Sequence, residues 1–126
     1  MNTIRILGRD YAIDMVSPTR FTQMELGMCD NKNQIIHLAT DQTPIEAADT
    51  LLHEVIHAID FLVGLDLSEH QVRHLAATLL GVLQDNPEIA EWLIADKTQE
   101  RIDNEQPKSI RKRTRKPARG SRKSAA

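Results

Sequence analysis

Two histidines and a glutamate stand at fixed offsets in the middle of this 126-residue chain. Thr50-Leu51-Leu52-His53-Glu54-Val55-Ile56-His57-Ala58-Ile59 reads H-E-x-x-H inside an apolar frame. On a helix, positions i and i+4 lie on one face, one turn apart. His53 and His57 can therefore present two imidazole nitrogens to a single ion. Glu54 follows the first of them directly, so its carboxylate can lie beside that ion without ligating it. This is the layout of a zinc hydrolase, in which two His hold Zn2+ and the Glu takes a proton from zinc-activated water. The competing reading is a buried helix whose histidines hydrogen-bond to neighbours. It requires burying two His and a Glu with no ion to offset their desolvation.

A hydrolytic zinc has three protein ligands and an open fourth position, so a third group must join the pair. Glu69, His70 and His74 follow on the next helix, and Asp60 and Asp66 lie between. Asp60, one helical turn beyond His57, is better placed to orient that imidazole than to bind its metal. Glu69 stands in the first helical turn on the same stripe as the apolar Val72 and Ala76, and it is the preferred third ligand. His70 and His74 lie on an adjacent, less apolar stripe and stay open as alternatives. So does Glu69 as a plain N-terminal acid favouring the helix dipole. His70, His74 and Tyr11 are candidates for the donor that would share negative charge developing on a scissile carbonyl.

The elements that must position these groups are legible from their punctuation. Thr43-Pro44-Ile45-Glu46 is a capping box with Pro at the first helical position. Gly64 stands where a C-terminal glycine would stop the same helix. The helix so bounded, 44–63, is roughly 30 Å long at about 1.5 Å per residue, with Leu52, Val55, Ile56, Ile59 and Val63 as apolar sides. Ser68-Glu69-His70-Gln71 is a second capping box, opening a helix over 69–84 with Val72, Leu75, Ala76, Leu79, Leu80 and Leu83 as its buried side. Asp85-Asn86-Pro87 breaks it, and Pro87 begins a short helix containing Ile89, Trp92 and Leu93.

Before the motif helix the pattern is that of strands. Ile4–Leu7 and Tyr11–Val16 flank a Gly8-Arg9-Asp10 turn, and Ser17-Pro18 ends the second. Gly27-Met28-Cys29 and Gln34–Ala39 form a second hairpin around Asp30-Asn31-Lys32-Asn33. Ile36 and Leu38 share one face of the last strand, with Ile35 and His37 on the other. His37 is thus expected to be a partly exposed strand residue, and Cys29 a small strand residue rather than a nucleophile.

Composition bounds the rest. The length suits one domain with a modest core of Leu, Ile, Val and Ala, because only four residues are Phe, Trp or Tyr. No apolar run is long enough for a membrane span. The start, Met1-Asn2-Thr3-Ile4-Arg5, lacks the regions of a signal peptide. The single Cys29 forms no internal disulfide, so a reducing cytoplasm is the expected compartment. The net charge of −2 hides an asymmetry. Residues 1–107 carry 7 Lys and Arg against 18 Asp and Glu, a balance of −11, while residues 108–126 carry 9 Lys and Arg and no acid. The expected organisation is a domain over 1–105 followed by a basic tail over 106–126, too poor in apolar residues to fold in isolation.

The stretch Thr50–Ile59 resembles the extended zincin metallopeptidase signature. The short length, the hairpins before the motif helix and the Glu-bearing helix after it resemble minimal gluzincins, among them ImmA/IrrE-type and related short phage or bacterial metallopeptidases. The resemblance covers residues 25–85. ImmA/IrrE-like chains often read Glu-x-Glu-Ala-Asn on the second helix, where this chain reads Glu69-His70-Gln71-Val72-Arg73. The resemblance implies an α+β, zincin-like fold: a small twisted antiparallel or mixed sheet packed on the active-site helix, with a following helix that donates a ligand. It implies zinc on His53, His57 and Glu69, Glu54 as general base, and a peptide or protein substrate.

Two other functions compete. One is a nucleic-acid-associated protein with a structural metal, its tail 108–126 neutralising phosphates without stacking aromatics; a protease held near DNA, as in SprT-like proteins, combines the two. The other is a regulatory zincin without activity, against which an intact Glu54 argues. A solubilising tail that folds back on the acidic body is the plain reading of the charge asymmetry.

Overall fold

The computed structural model describes residues 2–21 and 25–95, so the basic tail expected over 106–126 lies outside the described residues. In chain order the elements of the described residues are β1 (Thr3–Ile6), β2 (Arg9–Val16), β3 (Gly27–Asp30), β4 (Ile35–Ala39), α1 (Pro44–Val63), α2 (Glu69–Asp85) and α3 (Pro87–Leu93), with a 3-10 turn at Pro18–Arg20. The class is α+β. The strands form a mixed sheet of order β1-β2-β4-β3.

Local chemistry explains the strand connections. β1 and β2 pair antiparallel with Ile6 opposite Arg9. The turn is therefore Leu7-Gly8 rather than the expected Gly8-Arg9-Asp10. Both residues have positive φ, 49° and 81°, as a two-residue hairpin turn matched to strand twist requires. Arg9 and Asp10 enter β2, where the Asp10 carboxylate meets the Arg5 guanidinium at 2.9 Å. After β2 the chain passes to the far edge, runs β3 and returns as β4. That return makes β4 antiparallel to β3 and parallel to β2, with Ile13 opposite Ile36 and Asp14 opposite His37.

α1 covers one face of the sheet. Its Leu51, Val55, Ala58, Ile59 and Leu62 recur at helical spacing and pack on Ile6, Tyr11, Ile36 and Leu38. A second stripe, Leu52 and Ile56, packs on Leu67, Val72 and Ala76. The capping box forms as expected: the Thr43 hydroxyl accepts from the Glu46 amide at 3.2 Å and the Glu46 carboxylate from the Thr43 amide at 3.3 Å. Gly64, at φ 74°, ends the helix in the left-handed region.

The buried side of α2 is narrower than its pattern suggests. Val72 and Ala76 are buried, whereas Leu75 and Leu79 are each 46% exposed, and Leu80 and Leu83 are only half-buried. α1 offers α2 just the width of Leu52 and Ile56, so a broader apolar side finds no partner there. Val63, at the end of α1, is likewise exposed.

Two compact units divide the chain after Gly81. The first, Met1–Gly81, holds the sheet, α1 and most of α2. In the second, described to residue 95, the Asn86 side-chain Nδ2 donates to the Val82 carbonyl at 2.8 Å and α3 starts on Pro87. No described helix is long and apolar enough to cross a membrane.

Candidate metal centre

Around α1, at about 100° per residue, the sheet-facing stripe is followed by the α2-facing stripe and then by His53 and His57. Their Nε2 atoms lie 3.2 Å apart, with ring centroids at 4.9 Å. Glu69 enters from the first turn of α2. Its carboxylate spans the pair, one oxygen 2.8 Å from His53 Nε2 and the other 3.0 Å from His57 Nε2. These three side chains form the one group of three or more potential metal donors among the described residues.

Two devices aim Glu69. The chain turns between the helices through Gly64 and Asp66, at φ 74° and 61°. The Ser68 hydroxyl then accepts from the Gln71 amide at 3.1 Å, and the Gln71 side chain accepts from the Ser68 amide at 2.9 Å. This reciprocal cap fixes where α2 starts, and hence the direction of its first side chain. Asp60 holds the connection from the other end. Both its carboxylate oxygens accept from the Leu67 amide at 3.3 Å. Asp60 therefore orients the loop that carries Glu69, and not the imidazole of His57 as its spacing had suggested.

Glu54 is the buried charged residue of the described chain, 6% exposed. Burial, then repulsion from Glu69 and Glu25, pushes its carboxyl from 4.5 up to about 7. A carboxyl titrating near neutrality suits a proton acceptor and donor. The space for it comes from β3. A Cβ on Gly27 would lie 2.6 Å from Thr50 Cγ2 and 3.1 Å from a Glu54 oxygen. Glycine thus lets the edge strand lie directly against the Glu54 side of α1. Thr50 is held in turn, its hydroxyl donating to Gln42 Oε1 at 2.8 Å while the Gln42 side-chain Nε2 donates to the Ala39 carbonyl at 3.0 Å.

The other candidates go elsewhere. His70 and His74 face each other edge-on with centroids 4.3 Å apart, and neither joins the donor group. Tyr11 is fully buried, and its hydroxyl donates to Asn31 at 2.9 Å. His37 meets Asp14 at 3.1 Å on the sheet face opposite α1. Cys29 packs with the core beneath α1, where burial raises its thiol to about 12. Glu25 and Gly27 escaped the reading of the motif, and Asp60 entered it with a different partner. Only Gly27 had a local signal, a glycine inside a strand pattern.

The donor set fits a divalent transition ion. Tetrahedral ligands about 2.0–2.1 Å from zinc lie about 3.3 Å from one another. Here the imidazole nitrogens lie 3.2 Å apart, each faces a different Glu69 oxygen at 2.8 and 3.0 Å, and one donor atom from each of the three residues lies within 4.8 Å of the others. Imidazole nitrogen and carboxylate oxygen suit zinc, and the acidic surroundings of Glu25, Glu54 and Glu69 favour a cation. Comparison with protein-family models, curated proteins and solved structures returned no match.

Proposed function

We propose that this chain is a zinc-dependent metallopeptidase of zincin type, with His53, His57 and Glu69 as ligands and Glu54 as general base. The observation that carries the reading is the meeting of three metal-ligating side chains from two helices beside a buried carboxyl pushed up to about 7. When bound, a zinc ion supplies Lewis acidity, lowering the pKa of a coordinated water towards ~7 and polarising a carbonyl. Glu54 accepts the proton of the attacking water and returns it to the leaving amine. Glu69 fixes the spacing of the two imidazoles, and the Asp60–Leu67 bond fixes Glu69. Among the described strands β3 is at the sheet edge, beside Glu54, so its outer backbone edge can pair with an extended peptide.

The test is cleavage of a broad peptide library by the zinc-loaded chain and by Glu54→Gln. The variant should keep its zinc and lose roughly 10²–10⁴-fold in turnover. Unchanged turnover in Glu54→Gln, or no cleavage by a zinc-replete wild type, would remove the assignment.

A further inference from the structure

His70 and His74 repeat on the surface of α2 the one-turn spacing that His53 and His57 have on α1. Their ring centroids are closer, 4.3 Å against 4.9 Å, with similar interplanar angles of 62° and 64°. Both residues are exposed. The other three histidines have carboxylate partners: His37 has Asp14, and His53 and His57 share Glu69. Among the described residues no hydrogen bond or ion pair engages a ring nitrogen of His70 or His74. The two rings border an open concavity of about 350 Å³, lined also by Leu67, Gln71, Leu75 and Thr78.

We propose that His70 and His74 form a second, exchangeable transition-metal site, separate from the centre at His53, His57 and Glu69. Two imidazoles one turn apart on a rigid helix chelate one ion, and water completes its shell. At about 30 Å³ per water, about four waters completing a six-coordinate shell occupy roughly 120 Å³, and the concavity of about 350 Å³ admits them. At about 100° per residue, His70 and His74 lie about 100–140° round α2 from Glu69, so one ion cannot serve both sets. Arg73, the nearest cationic neighbour in sequence, points the other way, its guanidinium 3.9 Å from the Glu69 carboxylate. An imidazole pair with water ligands favours Cu2+ over Ni2+ and Zn2+, following the general affinity order.

The full chain, holding whatever zinc it retains on purification, is titrated with Cu2+ by calorimetry while released zinc is followed with a chromophoric chelator. Beyond any copper that fills the first centre or exchanges with its zinc, one further copper per chain should bind without releasing zinc, and its electron paramagnetic resonance spectrum should carry imidazole nitrogen couplings. His70→Gln and His74→Gln should each weaken that copper roughly 10²-fold, the loss of one arm of a chelate. Both lie on an exposed surface, so zinc content and circular dichroism should stay as in wild type. Copper affinity unchanged in either variant would overturn the proposal. So would loss of the retained zinc in both, which would make these residues part of the first centre. The outcome is independent of peptidase activity, because the copper site is read against its own variants.

Discussion

Gly27→Ala tests how closely the sheet edge approaches the Glu54 side of α1. Alanine can adopt the backbone of this strand position, since Gly27 does not have positive φ. The new methyl is the whole perturbation. It would stand 2.6 Å from Thr50 Cγ2, 3.1 Å from a Glu54 oxygen and 3.2 Å from Glu54 Cγ. Thr50 cannot swing away freely, because its hydroxyl is bonded to Gln42. Overpacking of this kind costs about 1–3 kcal/mol, and the lower entropy of the unfolded alanine chain returns about 0.4–1 kcal/mol. The net expectation is a loss of about 1–2 kcal/mol in urea unfolding, with a lower midpoint and an unchanged slope. Thr50→Ser deletes the clashing methyl and keeps the hydroxyl. In a double-mutant cycle it should recover about 1 kcal/mol of the alanine penalty, leaving the milder contacts with Glu54. A neutral or stabilised Gly27→Ala, or strict additivity with Thr50→Ser, would refute the close approach.

Three further outcomes are expected. In chelator-treated protein the raised Glu54 pKa means that the folded state binds the extra proton between 4.5 and about 7, so this group's stabilising contribution is present below 4.5 and lost as pH rises through 7. Glu54→Gln should therefore gain under ~1 kcal/mol over wild type at pH 5 and ~3 kcal/mol at pH 8; a pH-independent difference by urea unfolding would contradict this, and added zinc should shrink the gain. Asp60→Ala should cost about 1 kcal/mol of stability and weaken zinc binding roughly fivefold by freeing the Leu67 amide; isothermal titration showing wild-type affinity would mean that the loop is held by other contacts. Deleting residues 108–126 should leave zinc content unchanged and abolish any binding to DNA or RNA, binding that in the full chain should fall steeply with added salt; fluorescence anisotropy showing nucleic-acid affinity in the truncated chain would locate it on the acidic body.

The helices were legible because their ends carry chemistry. Thr43-Pro44-Ile45-Glu46, Gly64 and Ser68–Gln71 specify starts and stops through hydrogen bonds that span only a few residues, and the structure forms each of them. The His pair follows from helical spacing alone. Glu69 needed a guess about inward direction, and the Ser68 cap supplies that direction. What lay beyond reach was set by distant contacts. Nothing near Asp60 in the chain tells it to choose the Leu67 amide over His57. The width of the buried stripe on α2 depends on how much surface α1 offers it, so Leu75 and Leu79 read as core and are exposed. The parallel pairing of β2 with β4 follows from where the chain goes after Pro18–Arg20, a stretch with no strong periodicity. Gln42, Thr50 and Gly27 meet only because the sheet edge folds back onto α1.

Zinc analysis joined to X-ray absorption at the zinc edge tests the metal centre most directly, using full-length protein purified without chelator. About one zinc per chain is expected, with two imidazole nitrogens and carboxylate or water oxygens at about 2.0–2.2 Å. Glu69→Ala should lose most of that zinc, while His70→Ala and His74→Ala should keep it. Zinc far below one equivalent in wild type, a shell without the imidazole pair, or full occupancy in Glu69→Ala would contradict it.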